Sequence, residues 1–142
     1  MNNQNTSIIS SLQFEGYKVN HLYFEENNDC ATTKCNICPE FKHQINQISD
    51  KDYEVILGCR IISTAENPFP FSTEVIITGN FSIDSDAENR EILLNENSVA
   101  ILFPYLRSTI SMLVLNANHK PLVLPTLNIV EVLKQAKKDE NK

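Results

Sequence analysis

The sequence predicts an α+β fold in which an antiparallel sheet is followed by helices. Two segments with apolar residues at every second position, residues 53–61 and 71–83, predict consecutive strands. From Leu93 onward the apolar spacing is that of a helix, and it stays so as far as Val114. Strands that come first and helices that come last favour an antiparallel sheet with helices packed on it.

Two less regular strands precede these. Apolar residues at positions 12, 14, 22 and 24 flank Gly16 and predict a first strand that bends or bulges near the glycine. Phe41, His43 and Ile45 alternate weakly and indicate a second strand. The last two strands are close in sequence, with Pro68 and Pro70 marking the turn between them, so we expect them to pair antiparallel.

The long helical segment is apolar on more than one side. A helix of this kind is buried on more than one face, and in a chain this small we expect the second face to meet another subunit. Pro104 lies inside the segment, where it removes a backbone donor and costs roughly 3 kcal/mol, so we expect a kink there. Asn116 and Asn118 mark its end, because asparagine tolerates the left-handed conformation of a helix cap.

A short helix closes the domain. After an extended connector at residues 121–125, Asn128 and Glu131 resemble a capping box, which predicts a helix from there to about Lys137. We expect residues 1–10, rich in Asn, Ser and Thr, to be disordered, residues 11–137 to form one domain, and residues 138–142 to be a flexible tail.

Charge and composition exclude several classes of function. The net charge of −6 disfavours nucleic acid as a partner, because phosphate binding needs clustered Lys and Arg side chains. No apolar run approaches the roughly 20 residues of a membrane span. Residues 1–5 lack the basic start and apolar stretch of a secretory signal. We therefore expect a cytoplasmic protein without a membrane span, and reduced cysteines.

Three cysteines have a spacing that occurs in metal sites. Cys30, Cys35 and Cys38 follow the C-x4-C-x2-C pattern of some [2Fe–2S] loops. The further ligands would be Cys59 for a cluster and His43 or His21 for zinc. Because strong zinc signals consist of two paired knuckles and this chain has one, we interpret the three as reduced loop cysteines and Cys59 as a core residue. Metal binding stays a remote alternative.

No enzyme is indicated. The histidines do not accompany a nucleophile motif, and the three glycines of the chain cannot form a loop that cradles phosphate. Glu25, Glu26 and Asp29 are interpreted as a solvated acidic loop rather than an acid–base pair. We expect no catalytic residue and no cofactor. The aromatic residues near the last strand and the long helix fit either a core or a groove for extended apolar peptides.

Several short segments together resemble the SecB family of export chaperones. The most specific is Leu102, Phe103, Pro104, Tyr105 and Arg107. Supporting matches are Tyr53 to Val55, Glu74 with Val75, Gly79, Phe81 to Ile83, Asn128 after Pro125, Phe24 with Glu25, and Pro39 with Glu40 and Lys42. The resemblance runs from about Leu12 to Leu133. It implies a four-stranded antiparallel sheet, a long helix and a short C-terminal helix, assembled into a homotetramer as a dimer of dimers.

The resemblance also implies a function and its residues. It implies ATP-independent holding of unfolded or precursor polypeptides, which are handed to the motor ATPase SecA, or a chaperone dedicated to one client such as an antitoxin. The residues that match the client groove are Phe71 and Tyr105, with Ile37 and Ile129 where the family has aromatics. Glu25 and Glu74 match the SecA-docking surface. The residues expected at the oligomer interface are Leu102, Phe103, Leu106, Ile110 and Leu113.

Overall fold

The fold consists of a four-stranded sheet, a long helix that packs on it and a second, shorter helix. The computed structural model describes residues 11–30, 35–120, 122, 124 and 128–140. Its elements, in chain order, are β1 (Leu12–Glu26), β2 (Glu40–Gln47), β3 (Asp52–Ile61), β4 (Phe71–Ile83), α1 (Arg90–Ile92), a π-helical segment (Leu93–Asn97), α2 (Ser98–Asn116) and α3 (Ile129–Glu140). The predicted α+β class is confirmed. The expectation for residues 1–10 and most of the connector at 121–125 fall outside the described residues.

The sheet has the strand order β1-β4-β3-β2, and every neighbouring pair is antiparallel. The predicted pairing of the two regular strands is therefore confirmed. These two strands are central, and their odd-numbered residues from Val55 to Ile61 and from Phe71 to Ile83 are buried. The strands that come first in the chain, β1 and β2, form the two edges, so the loop between them crosses from one edge of the sheet to the other.

Strand β1 is irregular at the predicted glycine. Gly16 has a φ of 117°, and the pairing with β4 shifts between Phe14 and Gly16 and again between Val19 and His21. Only glycine adopts this backbone conformation without strain. Two shifts keep the apolar side chains on one face of the sheet. After the first shift, Tyr17 and Val19 pair with β4 residues that face the helix, and after the second shift Leu22 does so as well.

Helix α2 packs on the centre of the sheet. Its fully buried residues recur every three or four positions, as one face of a helix requires. The fully buried apolar residues are Val99, Leu102, Leu106, Ile110 and Val114. The helix approaches the sheet closely at Gly79, where an added Cβ atom would lie 2.8 Å from Cδ1 of Leu102. The absence of a side chain at this position lets the helix lie directly on β4.

The start of the long helix differs from the sequence prediction. A π-helical segment, Leu93–Asn97, joins α1 to α2, and Ser98 Oγ donates a hydrogen bond to the carbonyl of Leu94. A π turn inserts one residue into the helix and rotates everything before it relative to everything after it. Helix α2 continues through Pro104, whose ring lies on the exposed side.

The predicted end of the long helix and the predicted start of the short one are confirmed. Asn118 is left-handed, with a φ of 66°, and the His119 amide donates to the carbonyl of Val114 at 3.2 Å, as in a Schellman cap. At the start of α3 the Glu131 amide donates to Asn128 Oδ1 at 3.3 Å. Helix α3 continues to Glu140 rather than ending near Lys137.

Within the described residues, the helical stretch Arg90–Asn116 is the part of the chain that bears on the expectation about membrane spans. It is 27 residues long, and an 18-residue window within it has a mean hydropathy of 1.6, so by length and composition alone it could cross a membrane. In the fold, one face of this stretch packs against the sheet. The apolar composition that a span would need is therefore also the composition of a core helix.

Candidate functional site

Phe71, predicted to contact clients, is a buried residue at the start of β4. Its ring lies 5.1 Å from Phe24, 5.0 Å from Phe69 and 4.9 Å from His119, measured between ring centroids. The imidazole of His119 also contacts the carboxylate of Glu26. These contacts tie the C-terminal end of α2 to the end of β1, so Phe71 belongs to the core at this end of the sheet.

Tyr105, the second predicted client residue, lies at the opposite end of β4 and is exposed. Its ring is 4.7 Å from Tyr17 and 5.4 Å from Phe14, and Phe14 in turn contacts Phe81. Phe71 and Phe81 are ten residues apart on one strand, which corresponds to roughly 30 Å. The structure therefore does not bring Phe71 and Tyr105 into one pocket.

The two predicted aliphatic client residues pack against the core. Ile37 is half-buried, and the neighbouring Asn36 carbonyl accepts a hydrogen bond from Asn67 at 3.5 Å, which places this loop near the Phe71 end of the sheet. Ile129 is buried at the first turn of α3. Both side chains are therefore more buried in the chain's own interior than exposed to solvent.

Most residues expected at the oligomer interface lie inside their own chain. Leu102, Phe103, Leu106 and Ile110 are buried against the sheet, and Leu113 is half-buried. The apolar surface of α2 that stays open lies on the other side of the helix. We call it the apolar stripe, and it consists of Ile101, Tyr105, Met112 and Leu115, which are 36–60% exposed.

The apolar stripe continues onto the edge strand. Tyr105 contacts Tyr17 of β1, and beyond Tyr17 the helix-facing side of β1 carries the exposed Val19 and Leu22. In the described part of the chain, nothing covers these side chains. Exposed apolar residues that adjoin one another over a helix and a strand indicate an interaction surface.

The predicted acidic surface lies on the opposite face of the sheet. Tyr23, Glu74, Arg60 and Glu40 are direct cross-strand neighbours, one from each strand. Glu25 follows on the same face and accepts a hydrogen bond from Tyr23 at 2.7 Å, which raises the pKa of the tyrosine. The structure thus brings Glu25 and Glu74 onto one surface, as expected.

Basic side chains offset part of this acidic surface. His21 Nε2 lies 3.1 Å from the Glu74 carboxylate, and Arg60 Nε donates to Glu40 at 2.7 Å. Both pairs are exposed, so each contributes little to stability. Arg60 acts on the local potential, because its positive charge lowers the negative charge that a basic partner would meet, and His21 adds to this only when it is protonated.

The cysteines do not form a metal centre within the described residues, where no group of three or more Cys, His, Asp or Glu side chains is placed to hold an ion. Cys59 is buried on β3, as predicted, and burial raises the pKa of its thiol to about 12. Cys38 is exposed, whereas Cys30 and Cys35 are half-buried. The structure gives the remote metal alternative no support.

A cavity of about 380 Å³ that lies between β2 and α3 was not predicted from the sequence. Residues 41–45 of β2 form one wall, Leu133 and Lys137 of α3 form the other, and Asn95 closes one end. His43 was considered only as a spare zinc ligand. Here its Nε2 atom is buried and has no hydrogen-bond partner among the residues that the structure describes. Burial and the nearby Lys137 lower the pKa of this imidazole.

Comparison with known proteins finds a matching family model and similar sequences. A family model described as preprotein translocase subunit SecB matches residues 6–140. A protein of Methanocaldococcus jannaschii, described as uncharacterised, is 30% identical, and the alignment covers 92% of this chain and 89% of that protein. The protein-export protein SecB of Saccharophagus degradans is 31% identical, with 71% of this chain and 61% of its own length covered. That of Methylobacillus flagellatus is also 31% identical, with 72% and 66% covered.

This chain therefore spans less than two thirds of the length of these two SecB relatives. Among solved structures, the SecB-like chaperone of Mycobacterium tuberculosis, in complex with a ChAD peptide from the HigA1 antitoxin, has a similar fold. Its TM-score is 0.67 at 14% identity, and the match covers 82% of this chain and 90% of that one. At this identity the similarity concerns the fold, and it agrees with the sheet and helices described above.

Proposed function

Because the chain belongs to the SecB family, we propose that it is a cytoplasmic holding chaperone, which binds unfolded or precursor polypeptides without ATP and without catalysis. The observation that carries this proposal is the open apolar surface formed by the apolar stripe of α2 and the helix-facing side of β1. Burial of apolar area contributes roughly 25 cal/mol per Å² and does not depend on a particular client sequence. Such a surface suits clients that share only exposed apolar segments.

Part of this surface is proposed to be covered by further copies of the chain. A homotetramer built as a dimer of dimers would pack the long helices against one another and bury the C-terminal part of the stripe between them, while Tyr105 stays open. In this arrangement Met112 and Leu115, which are among the most exposed apolar residues, contact a second subunit. The aromatic groups around Tyr105 and around Phe71, with Ile37 and Ile129 close to the latter, would remain as two separate client-binding regions.

The function is tested by aggregation of a reduced, unfolded model protein. We expect the purified protein to suppress the rise in light scattering at about one tetramer per client, without nucleotide. Addition of ATP should change nothing, because no nucleotide site is proposed. Native mass spectrometry on the same sample should show a tetramer with one bound polypeptide. A monomer that leaves aggregation unchanged would refute the proposal.

Delivery to SecA is proposed to use the outer face of the sheet through Glu25 and Glu74, which lie on the same surface and are exposed or half-exposed. Reversal of both charges should weaken SecA binding and reduce its salt dependence, because fewer charges attract the motor. The matched control reverses Glu88 and Glu91, which are exposed and lie away from this face. Equal affinity of the Glu25→Lys, Glu74→Lys variant and the wild type would rule out docking at this surface.

A chaperone dedicated to one client is the second candidate. It is supported by the fold similarity to the Mycobacterium tuberculosis SecB-like chaperone, whose structure contains an antitoxin peptide. The offset of the acidic surface by His21 and Arg60 also favours a role that does not need SecA. Purification from native cells distinguishes the two. One stoichiometric partner with no effect on generic unfolded proteins would favour the dedicated role.

A further inference from the structure

The predicted client residue Phe71 is covered by side chains of its own chain. It is 4% exposed, and the rings of Phe24, Phe69 and His119 lie against it at centroid distances of 5.1, 5.0 and 4.9 Å. Phe24 belongs to β1, and Phe69 lies in the segment that leads into β4. His119 differs from both, because it follows the last turn of α2 and lies outside the sheet.

These groups become more exposed in order from the core to solvent. Phe69 and Phe71 are buried and Phe24 is half-buried, whereas the side chain of His119 is 23% exposed. Glu26 is the most exposed, at 45%, and its carboxylate lies 2.5 Å from Nε2 of the imidazole. Because the imidazole contacts both Phe71 and the exposed Glu26, its displacement would uncover the phenyl ring of Phe71.

The backbone and the side chain of His119 are held by different contacts. Its amide donates to the carbonyl of Val114 at 3.2 Å, which fixes the backbone at the helix cap but not the rotamer of the side chain. The imidazole is held by Glu26 and by ring contacts with Phe71 and, at 5.7 Å, with Phe24. Because an ion pair between partly exposed groups contributes little, the imidazole can move while the cap stays intact.

The position of the imidazole suits an apolar side chain. A side chain that took its place would lie against the rings of Phe24 and Phe71 and would gain from apolar burial. We propose that His119 and Glu26 form a latch that closes the Phe71 client region. An apolar side chain of an unfolded polypeptide displaces the imidazole and binds in its place, and the latch closes again when the polypeptide leaves.

This inference rests on the proposed function, since it assumes that polypeptides bind near Phe71. It deepens that function by giving this region a closed and an open state. A client binds only the open state, so its apparent affinity is reduced by the fraction of molecules that are open. The Tyr105 region has an exposed ring in the single chain and needs no such opening. The latch therefore acts on one of the two client-binding regions.

The experiment measures fluorescence anisotropy with a labelled peptide, capped at both ends, that contains Leu-Phe-Leu flanked by serines. Glu26→Ala removes the carboxylate of the latch, and His119→Ala removes its ring. The matched controls are Asp29→Ala, which removes a carboxylate three residues away, and Lys120→Ala, which alters the exposed residue after His119. Phe71→Leu is measured alone and together with Glu26→Ala. Circular dichroism and urea unfolding verify the fold of each variant.

We expect both latch variants to bind the peptide more tightly than the wild type, by about 5-fold for Glu26→Ala, because the open state becomes more populated. The two controls should bind as the wild type does. In the Phe71→Leu background, Glu26→Ala should make no difference, because the ring that it uncovers is gone. Unchanged affinity in folded Glu26→Ala, or an equal gain with and without Phe71→Leu, overturns the inference.

Suppression of aggregation by the wild type is measured in parallel and separates the two proposals. If it persists while Glu26→Ala binds the peptide no better, the proposed function stands and the latch is refuted. If it is absent, the proposed function fails and the latch with it.

Discussion

At the scale of single residues, Gly79 sets how closely the long helix approaches the sheet. A Cβ atom there would lie 2.8 Å from Leu102 Cδ1 and 2.8 Å from Phe81 Cε2, and both of those side chains are fully buried. We expect Gly79→Ala to lower the free energy of unfolding by about 1–3 kcal/mol, measured by urea unfolding, because neither neighbour can move without disturbing the core.

The control is Gly58→Ala. The atoms nearest to an added Cβ at Gly58 are methylenes of the flexible Lys42 side chain, at 3.0 Å. Since this side chain is exposed and can adopt another rotamer, we expect a loss below about 1 kcal/mol. Equal losses for the two variants would contradict the packing described for Gly79.

His43 makes stability depend on pH. Burial, and to a lesser extent Lys137, lower the pKa of its imidazole below the ordinary value of 6.5. The unfolded chain therefore takes up a proton near pH 6.5, whereas the folded chain takes it up only at lower pH. The contribution to stability is fully present above pH 6.5 and is lost as pH falls from there through the folded pKa.

The measurement compares urea midpoints of the wild type and His43→Gln between pH 8 and pH 5. We expect the wild type to lose more stability than the variant across this range, because glutamine does not titrate. A parallel decline of the two proteins would contradict the depressed pKa.

The cysteines should differ in reactivity. Burial raises the pKa of Cys59 to about 12, so its thiol stays protonated at pH 8 and is shielded from reagents, whereas Cys38 is exposed. We expect iodoacetamide to alkylate Cys38 first and Cys59 only after unfolding. Mass spectrometry of the native and urea-treated protein gives the order, and early modification of Cys59 would refute its placement in the core.

At the scale of elements, the cap of α3 is a local signal that can be tested alone. Asn128 Oδ1 accepts the amide of Glu131, which would otherwise lack a partner in the first turn. Asn128→Ala should lower the free energy of unfolding by about 1 kcal/mol. Asn128→Asp should lower it by much less, because aspartate can also accept the amide hydrogen bond. Thermal unfolding followed by circular dichroism measures both. If alanine and aspartate behave alike, the cap does not stabilise the helix.

The elements that were predictable are those whose signals are local. Residues 53–61 and 71–83 alternate because each strand buries one face, and Gly16 marks a backbone conformation that other residues avoid. The π-helical segment Leu93–Asn97 was not predictable, because one residue inserted in a helical turn leaves the residue types unchanged. It is recognised only from the backbone hydrogen bonds.

The candidate site was less predictable, because its geometry depends on contacts between residues that are far apart in the sequence. The distance between Phe71 and Tyr105 depends on which end of β4 each contacts, and the approach of Lys137 to His43 depends on how α3 crosses β2. Neither follows from spacing in the sequence. The one local sign of the cavity was a histidine between two apolar residues of a weakly alternating strand.

At the scale of the whole molecule, the apolar stripe should decide the assembly. We expect Met112→Glu combined with Leu115→Lys to break the proposed tetramer into smaller species, because two charged side chains would lose their hydration at the contact between helices. Both residues are exposed in the single chain, so the fold itself should persist. Native mass spectrometry and circular dichroism report the two properties separately.

A matched control places the same two charges elsewhere. Asn28→Glu with Gln47→Lys alters exposed positions outside the stripe and should leave the mass of the assembly unchanged. Intact tetramers in the stripe variant would show that another surface holds the subunits together.

The strand order β1-β4-β3-β2 also has a consequence for how the chain is made. The two edge strands leave the ribosome first and cannot pair with each other, because their partners are the central strands that are synthesised after them. At roughly 5–20 residues per second, β1 waits several seconds for β4. A protein proposed to hold unfolded chains thus passes through such a state itself, with its first strand unpaired until most of its sheet has been translated.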